Sequence, residues 1–94
     1  MDIFNVRMTQ AATDDLEDIS DKLREQIISD IRSLSINPFP SRSGIKKLKG
    51  FKPPLYRLRS GDYRVLYRIE NNTVTIMRAI DRKELERIIK RLKL

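Results

Sequence analysis

Cysteine and histidine are both absent from this chain of 94 residues. Without cysteine there is no disulfide and no thiol nucleophile. Without histidine there is no imidazole acid–base chemistry, and without either the common zinc sites cannot be built. No apolar run approaches the roughly 20 residues that a membrane-spanning helix needs. The opening MDIFNVRM lacks the basic-then-apolar order of a secretory signal. The expectation is a cytoplasmic protein with no membrane segment, no bound metal and no cofactor.

What is abundant is charge. Hydrophobic residues make up 39% and charged residues 35%, a balance that fits one folded domain over residues 1–94 and not a disordered chain. The net charge of +7 is unevenly spread: residues 1–44 hold 5 basic and 8 acidic side chains, residues 45–94 hold 15 and 5. A cationic half of this kind points to a polyanion partner, most simply a nucleic acid. The competing explanation is a well-solvated, charge-rich surface of the sort found in heat-adapted proteins.

The cationic half is centred on LYRLRSGDYRVLYRI, residues 55–69. It reads as two strands joined at Ser60-Gly61-Asp62. Alternation puts Tyr56 and Leu58 on one face with Tyr63, Val65, Tyr67 and Ile69, and leaves Arg57, Arg59, Arg64, Leu66 and Arg68 on the other. Four guanidinium groups thus line one side of a single hairpin.

Upstream, residues 3–8 alternate as a first strand. Thr9 is suited to cap a helix, with Asp14, Asp15 and Glu17 favouring its early turns through the helix dipole. A break is expected at residues 18–21, followed by a second helix to about Leu34 with Leu23, Ile27, Ile28, Ile31 and Leu34 on one stripe. Asn37-Pro38-Phe39-Pro40 stops it. Residues 45–51, IKKLKGF, form a short basic run. After the hairpin, Asn71-Asn72 is a turn signal and residues 73–80 a last strand, with Val74, Ile76 and Ile80 on one face. Arg78 falls on that apolar parity and so must sit at a strand end or be paired. Asp81 is placed to cap a closing helix whose Leu85, Ile88, Ile89 and Leu92 form a stripe. The expected fold is α+β: an N-terminal strand, a helical hairpin packed on one sheet face, a three-stranded antiparallel meander that the first strand joins beside the last, and a C-terminal helix.

This order, with Lys47-Leu48-Lys49-Gly50, then Tyr56-Arg57-Leu58-Arg59-Ser60-Gly61-Asp62-Tyr63-Arg64-Val65-Leu66-Tyr67, then Asp81-Arg82-Lys83, resembles the RelE/ParE toxin superfamily. The resemblance implies the toxin of a type II toxin–antitoxin pair. In the RelE branch it implies a ribosome-dependent endonuclease that cuts mRNA in the A site, by attack of a ribose 2′-hydroxyl on the adjacent phosphate and without a metal. It makes Arg64 the residue that holds the scissile phosphate and Arg82 the one that stabilises charge and the leaving group. Arg57 and Arg59 stand where relatives often carry lysines, one of them the suggested base; an arginine keeps its proton and is a poor base. Lys47, Lys49, Lys52 or Glu86 are the substitutes on offer. Lys46, Lys47, Lys49, Lys52 and Arg68 read as contacts to RNA or the ribosome. Asp81 replaces a histidine found in many relatives, and Glu86 or Ile88 falls where they have a tyrosine.

The partners implied are the ribosome, its mRNA and an acidic cognate antitoxin in a hetero-oligomeric complex. Two other readings stay open: a ParE-type inhibitor of DNA gyrase, and a degenerate toxin that binds RNA and antitoxin without cutting.

Overall fold

The computed structural model describes residues 3–93. Strand β1 (Asn5–Met8) is followed by helices α1 (Gln10–Glu17) and α2 (Asp21–Ser33). Strands β2 (Ile45–Leu48), β3 (Leu55–Ser60), β4 (Tyr63–Glu70) and β5 (Thr73–Asp81) come next. A 3-10 turn (Arg82–Glu84) then leads into helix α3 (Leu85–Leu92). No helix among the described residues is long and apolar enough to cross a membrane.

The five strands form one sheet in the order β1-β5-β4-β3-β2. Strands β2 to β5 are antiparallel to their neighbours, and β1 runs parallel to β5 with Val6 opposite Val74. The class and the place of the first strand are as expected. The strand count is not. The basic run 45–51 contributes a fifth strand, because Ile45 is buried opposite Leu58 and the run pairs with β3 over its four residues. Two adjacent lysines in so short a segment hide its alternation.

The helical hairpin closes as its sequence dictates. Thr9 caps α1, its Oγ1 accepting from the Ala12 N–H at 3.1 Å. The same hydroxyl donates to the Met77 carbonyl at 2.9 Å, tying the helix start to β5. At the other end of α1, Arg24 of α2 donates to the carbonyls of Leu16 and Ile19, both at 2.8 Å, and so ties α2 to the chain leaving α1. Ser20 occupies the next cap position without a side-chain bond. Leu23 was expected in the apolar stripe and is instead 48% exposed. The stripe begins one turn later, at Ile27.

One sheet face packs on α1 and α2. Its core joins Ala12, Leu16, Ile27, Ile31 and Leu34 to Leu58, Val65, Tyr67, Val74 and Ile76. Tyr67 is fully buried and donates from its hydroxyl to the Pro38 carbonyl at 2.7 Å. Burial pushes its phenol well above the ordinary value. The opposite face packs on α3 through a separate cluster of Phe51, Leu55, Leu66, Ile80 and Ile88.

A bulge explains the two irregularities of β5. Leu66 pairs with Arg78 but Tyr67 pairs with Ile76, so Met77 is an extra residue. The parity flips there. Ile80, expected beside Val74 and Ile76, therefore lies on the α3 face. Arg78 is paired: it donates from Nε and Nη2 to the Asp15 carboxylate at 2.7 and 2.9 Å, and Asp15 also accepts from the Ala79 N–H at 3.0 Å. That hydrogen bond to Asp15 holds the guanidinium pKa above its ordinary value.

Candidate nucleic-acid interface

Helix α3 crosses its sheet face along a diagonal. From the Asp81 end it covers Ile80 on β5, Leu66 on β4 and Leu55 on β3, and Leu48 of β2 joins the same cluster. The diagonal splits the face into two corners. Register places Arg59 opposite Arg64, Arg57 opposite Leu66, and Lys46 opposite Arg57. Arg57, Arg59, Arg64 and Lys46 therefore share one corner. Arg68, beyond Leu66 on β4, falls in the other corner. Its Nε is buried with no hydrogen-bond partner.

Arg82 completes the first corner. It follows β5 directly, its N–H donates to the Asp62 carbonyl at 2.9 Å, and its Nε lies 3.9 Å from the Asp62 carboxylate. The β3–β4 turn and the 3-10 turn are thus stitched together. Gly61 makes that two-residue turn possible at φ +57°. Arg64 is held by the same turn, its Nη1 donating to the Gly61 and Tyr63 carbonyls at 2.9 Å each. This use of one nitrogen leaves the Nε and Nη2 edge, the fork that grips a phosphate or carboxylate.

The corner is electrostatically unsatisfied. Burial first, then Arg59 and Arg82, push the Arg64 pKa below its ordinary value, against the pull of Asp62 and Asp81. Burial, Arg64 and Arg59 do the same to Arg57. Among the described residues, Arg57, Arg59 and Arg64 have no carboxylate at salt-bridge distance. Several cations held close on a half-covered sheet favour an anion with several oxygens.

The remaining candidates are dispersed. Lys47 pairs with Tyr56 and has the opposite parity. Lys49 and Lys52 are exposed on the β2–β3 loop, at the far end of β3 from Arg59. There Lys93 stacks over the Phe51 ring at 5.6 Å. Glu86 is exposed in the first turn of α3, four residues beyond Arg82. Tyr56 stacks on Tyr67 in the α1/α2 core, with ring centroids 5.6 Å apart. One cation at the edge of the corner carried no sequence signal. Arg42, in the loop before β2, lines a cleft with Lys46, Arg57 and Arg59.

Comparison with known proteins agrees with this architecture. Residues 6–86 match the family model of the ParE toxin of the type II toxin–antitoxin system parDE. A Methanocaldococcus jannaschii protein designated as the toxin RelE1 is 34% identical over 83 residues, covering 86% of this chain and 91% of its own. Among solved structures, the Mycobacterium tuberculosis RelBE2 toxin–antitoxin complex matches at 28% identity with a TM-score of 0.73, over 83% of this chain and 96% of that one. The archaeal RelE–RelB complex from Pyrococcus horikoshii has the same fold at 24% identity, with a TM-score of 0.72 over 85% of this chain and 96% of that one. The chain belongs to the RelE/ParE family of toxins of type II toxin–antitoxin systems.

Proposed function

We propose that this toxin is a ribosome-dependent mRNA endonuclease of the RelE type, acting in the cytoplasm and neutralised by an acidic antitoxin. The observation that carries the reading is the convergence of Arg57, Arg59, Arg64 and Arg82 on one open corner of the sheet. The β3–β4 hairpin supplies three of them, and the 3-10 turn after β5 brings Arg82 to join them.

The corner suits transfer at phosphorus. The 2′-oxygen forms a bond to the adjacent phosphorus as the P–O5′ bond breaks, and the departing O5′ takes a proton from water, giving a 2′,3′-cyclic phosphate and a free 5′-hydroxyl. Arg64 grips the non-bridging oxygens through its free edge. Arg57 and Arg59 offset the charge that builds on them, and Arg82 stabilises the departing oxygen. The 2′-hydroxyl proton passes to a base. Of the four candidates, Lys47 has the opposite parity and Lys49 and Lys52 lie at the other end of the face, whereas Glu86 is at the Arg82 end, so the role goes to Glu86.

The partner follows from charge. A chain of +7 with an open cationic corner suits an acidic, extended antitoxin that covers it. The structures it matches include RelB–RelE and YoeB–YefM complexes.

The test is cell-free translation of one mRNA with purified protein, read by primer extension. Discrete cuts inside codons, only when ribosomes are present, are expected, and Arg64→Ala and Arg82→Ala abolish them. Unimpaired translation and intact mRNA would defeat the reading. The match to the ParE model favours a second one, inhibition of DNA gyrase. In that case growth arrest tracks gyrase-dependent DNA breaks and survives loss of Arg64.

A further inference from the structure

The loop before β2 adds something that neither the fold nor the arginine corner requires. Residues 40–44 fold back against β3 and leave a cleft of about 360 Å³ at the edge of the cationic corner. Its polar lining is Ser41, Arg42, Ser43, Lys46, Arg57 and Arg59, and no lining residue is acidic. Among the described residues, none of these four cations makes a salt bridge.

The cleft is built, not incidental to a floppy loop. The Gly44 carbonyl accepts from the Arg59 N–H at 2.9 Å and from Arg57 Nη1 at 3.3 Å. Gly44 itself takes φ +89°, in the left-handed region that favours glycine. Arg42 is anchored by an Nη1 bond to the Asn37 carbonyl at 3.3 Å and half-buried. Each anchored guanidinium keeps free donors, and two serine hydroxyls stand beside them. Burial and the neighbouring arginines already depress the Arg57 pKa, so an anion in the cleft relieves a repulsion present in its absence.

We infer that this cleft is a second phosphate subsite, which takes the backbone phosphate next to the one held at Arg64 and Arg82. The register sets the spacing. Lys46 on β2 is two strands from Arg64 on β4 and in register with Leu66, two residues along, so their backbones are on the order of 10 Å apart, a gap that two long side chains reaching inward narrow to one nucleotide step. The identity of the ligand rests on the RNA reading above; the existence of an anion site does not. Two gripped phosphates fix the direction and tension of the strand across the corner, which a single gripped phosphate leaves free to swivel.

The experiment is an amide NMR titration of the full chain with uncleavable 2′-O-methyl RNA. A dinucleotide carries one phosphate and a trinucleotide two. The trinucleotide binds about tenfold tighter, the scale of one charge-assisted contact, and it alone moves the amides of Ser43, Gly44 and Lys46. Arg42→Ala removes the tenfold gain and leaves dinucleotide affinity unchanged. Lys46→Gln, on an exposed strand position that cannot harm the core, removes part of it. Arg64→Ala weakens both oligonucleotides. Stationary 43–46 amides in the trinucleotide titration, or equal weakening of both oligonucleotides by Arg42→Ala, overturn the subsite as an RNA contact. Inorganic phosphate separates the two readings. If it moves Ser43 and Gly44 in an Arg42-dependent way while neither oligonucleotide binds, the cleft stands as an anion site and the RNA reading falls. If it leaves them unmoved as well, the cleft is refuted whatever the cutting assay shows.

Discussion

The two faces of the sheet are made from the same strands and do different work. On the α1/α2 face, the inward positions of β3, β4 and β5 are mostly apolar with a fully buried centre, and the phenol buried outright, that of Tyr67, finds an acceptor in Pro38. On the α3 face, a single diagonal of apolar residues seats one helix, and the flanking inward positions are arginines. A sheet buried on both faces reads as continuous hydrophobic sequence; this one does not, because half of one face is kept for charge. The apolar face holds the fold and the mixed face is available to a ligand. Substitutions on the two faces should therefore separate stability from activity.

The largest expected effect is on the apolar face. Tyr67→Ala removes a fully buried ring together with its hydrogen bond and its stack on Tyr56. A loss of about 3–5 kcal/mol in urea unfolding is expected, enough to unfold a marginal domain of this size. The matching change on the mixed face is Arg64→Ala. Under the proposed function its cutting rate should fall by about 10²–10³, the usual cost of losing one preorganised charge-stabilising donor, with unfolding free energy within about 0.5 kcal/mol of the parent. A large stability loss there, with activity retained, would break the division between the faces.

This division was only partly legible in the sequence. Alternation alone assigned Tyr56, Leu58, Val65 and Tyr67 to one side and Arg57, Arg59 and Arg64 to the other, because period two leaves no other choice. Thr9 and Asp81 announced their helices since a cap is a local device. Three things were hidden. The Met77 bulge moved Ile80 across the sheet, and its one trace in the sequence, Arg78 on the apolar parity, is equally what a strand end or an ion pair would leave. The apolar stripe of α3 was visible, but not the face it seats on, so Arg68 was grouped with Arg64 although Leu66 and the helix come between them. Arg42 lies in an irregular loop in the acidic half of the chain, and only the fold-back of residues 40–44 brings it to Arg57. Long-range placement of that kind has no periodicity to read.

A smaller effect tests how the edge of β5 is closed beyond β1. Asp15 accepts three hydrogen bonds there, two from Arg78 and one from the Ala79 N–H. Asp15→Ala leaves the guanidinium and the strand amide unpaired, both half-shielded, at a cost of about 1–3 kcal/mol. Arg78→Met keeps the stem and leaves the Ala79 bond in place, so it should cost less. Equal losses for the two variants would mean that the ion pair, not the strand edge, matters.

The smallest effect is a pH dependence confined to the apolar face. The folded state raises the Tyr67 pKa by burial, whereas a tyrosine in the unfolded chain titrates near about 10. The unfolded state then releases its proton first, so the contribution of Tyr67 is intact below about pH 10 and is lost as pH climbs through that value toward the folded one. Tyr67→Phe loses the Pro38 hydrogen bond, about 1 kcal/mol at neutral pH, but its stability curve should be flatter above pH 10 than that of the parent. The mixed face carries no group of this kind: with no histidine in the chain, its affinity for a single-stranded RNA should hold steady from pH 6 to 8 while falling with salt. Each phosphate gripped adds about 0.7 to the slope of log affinity against log salt, so Arg64→Ala should lower that slope by about one such increment. A slope that Arg64→Ala leaves unchanged would place the strand elsewhere on the molecule.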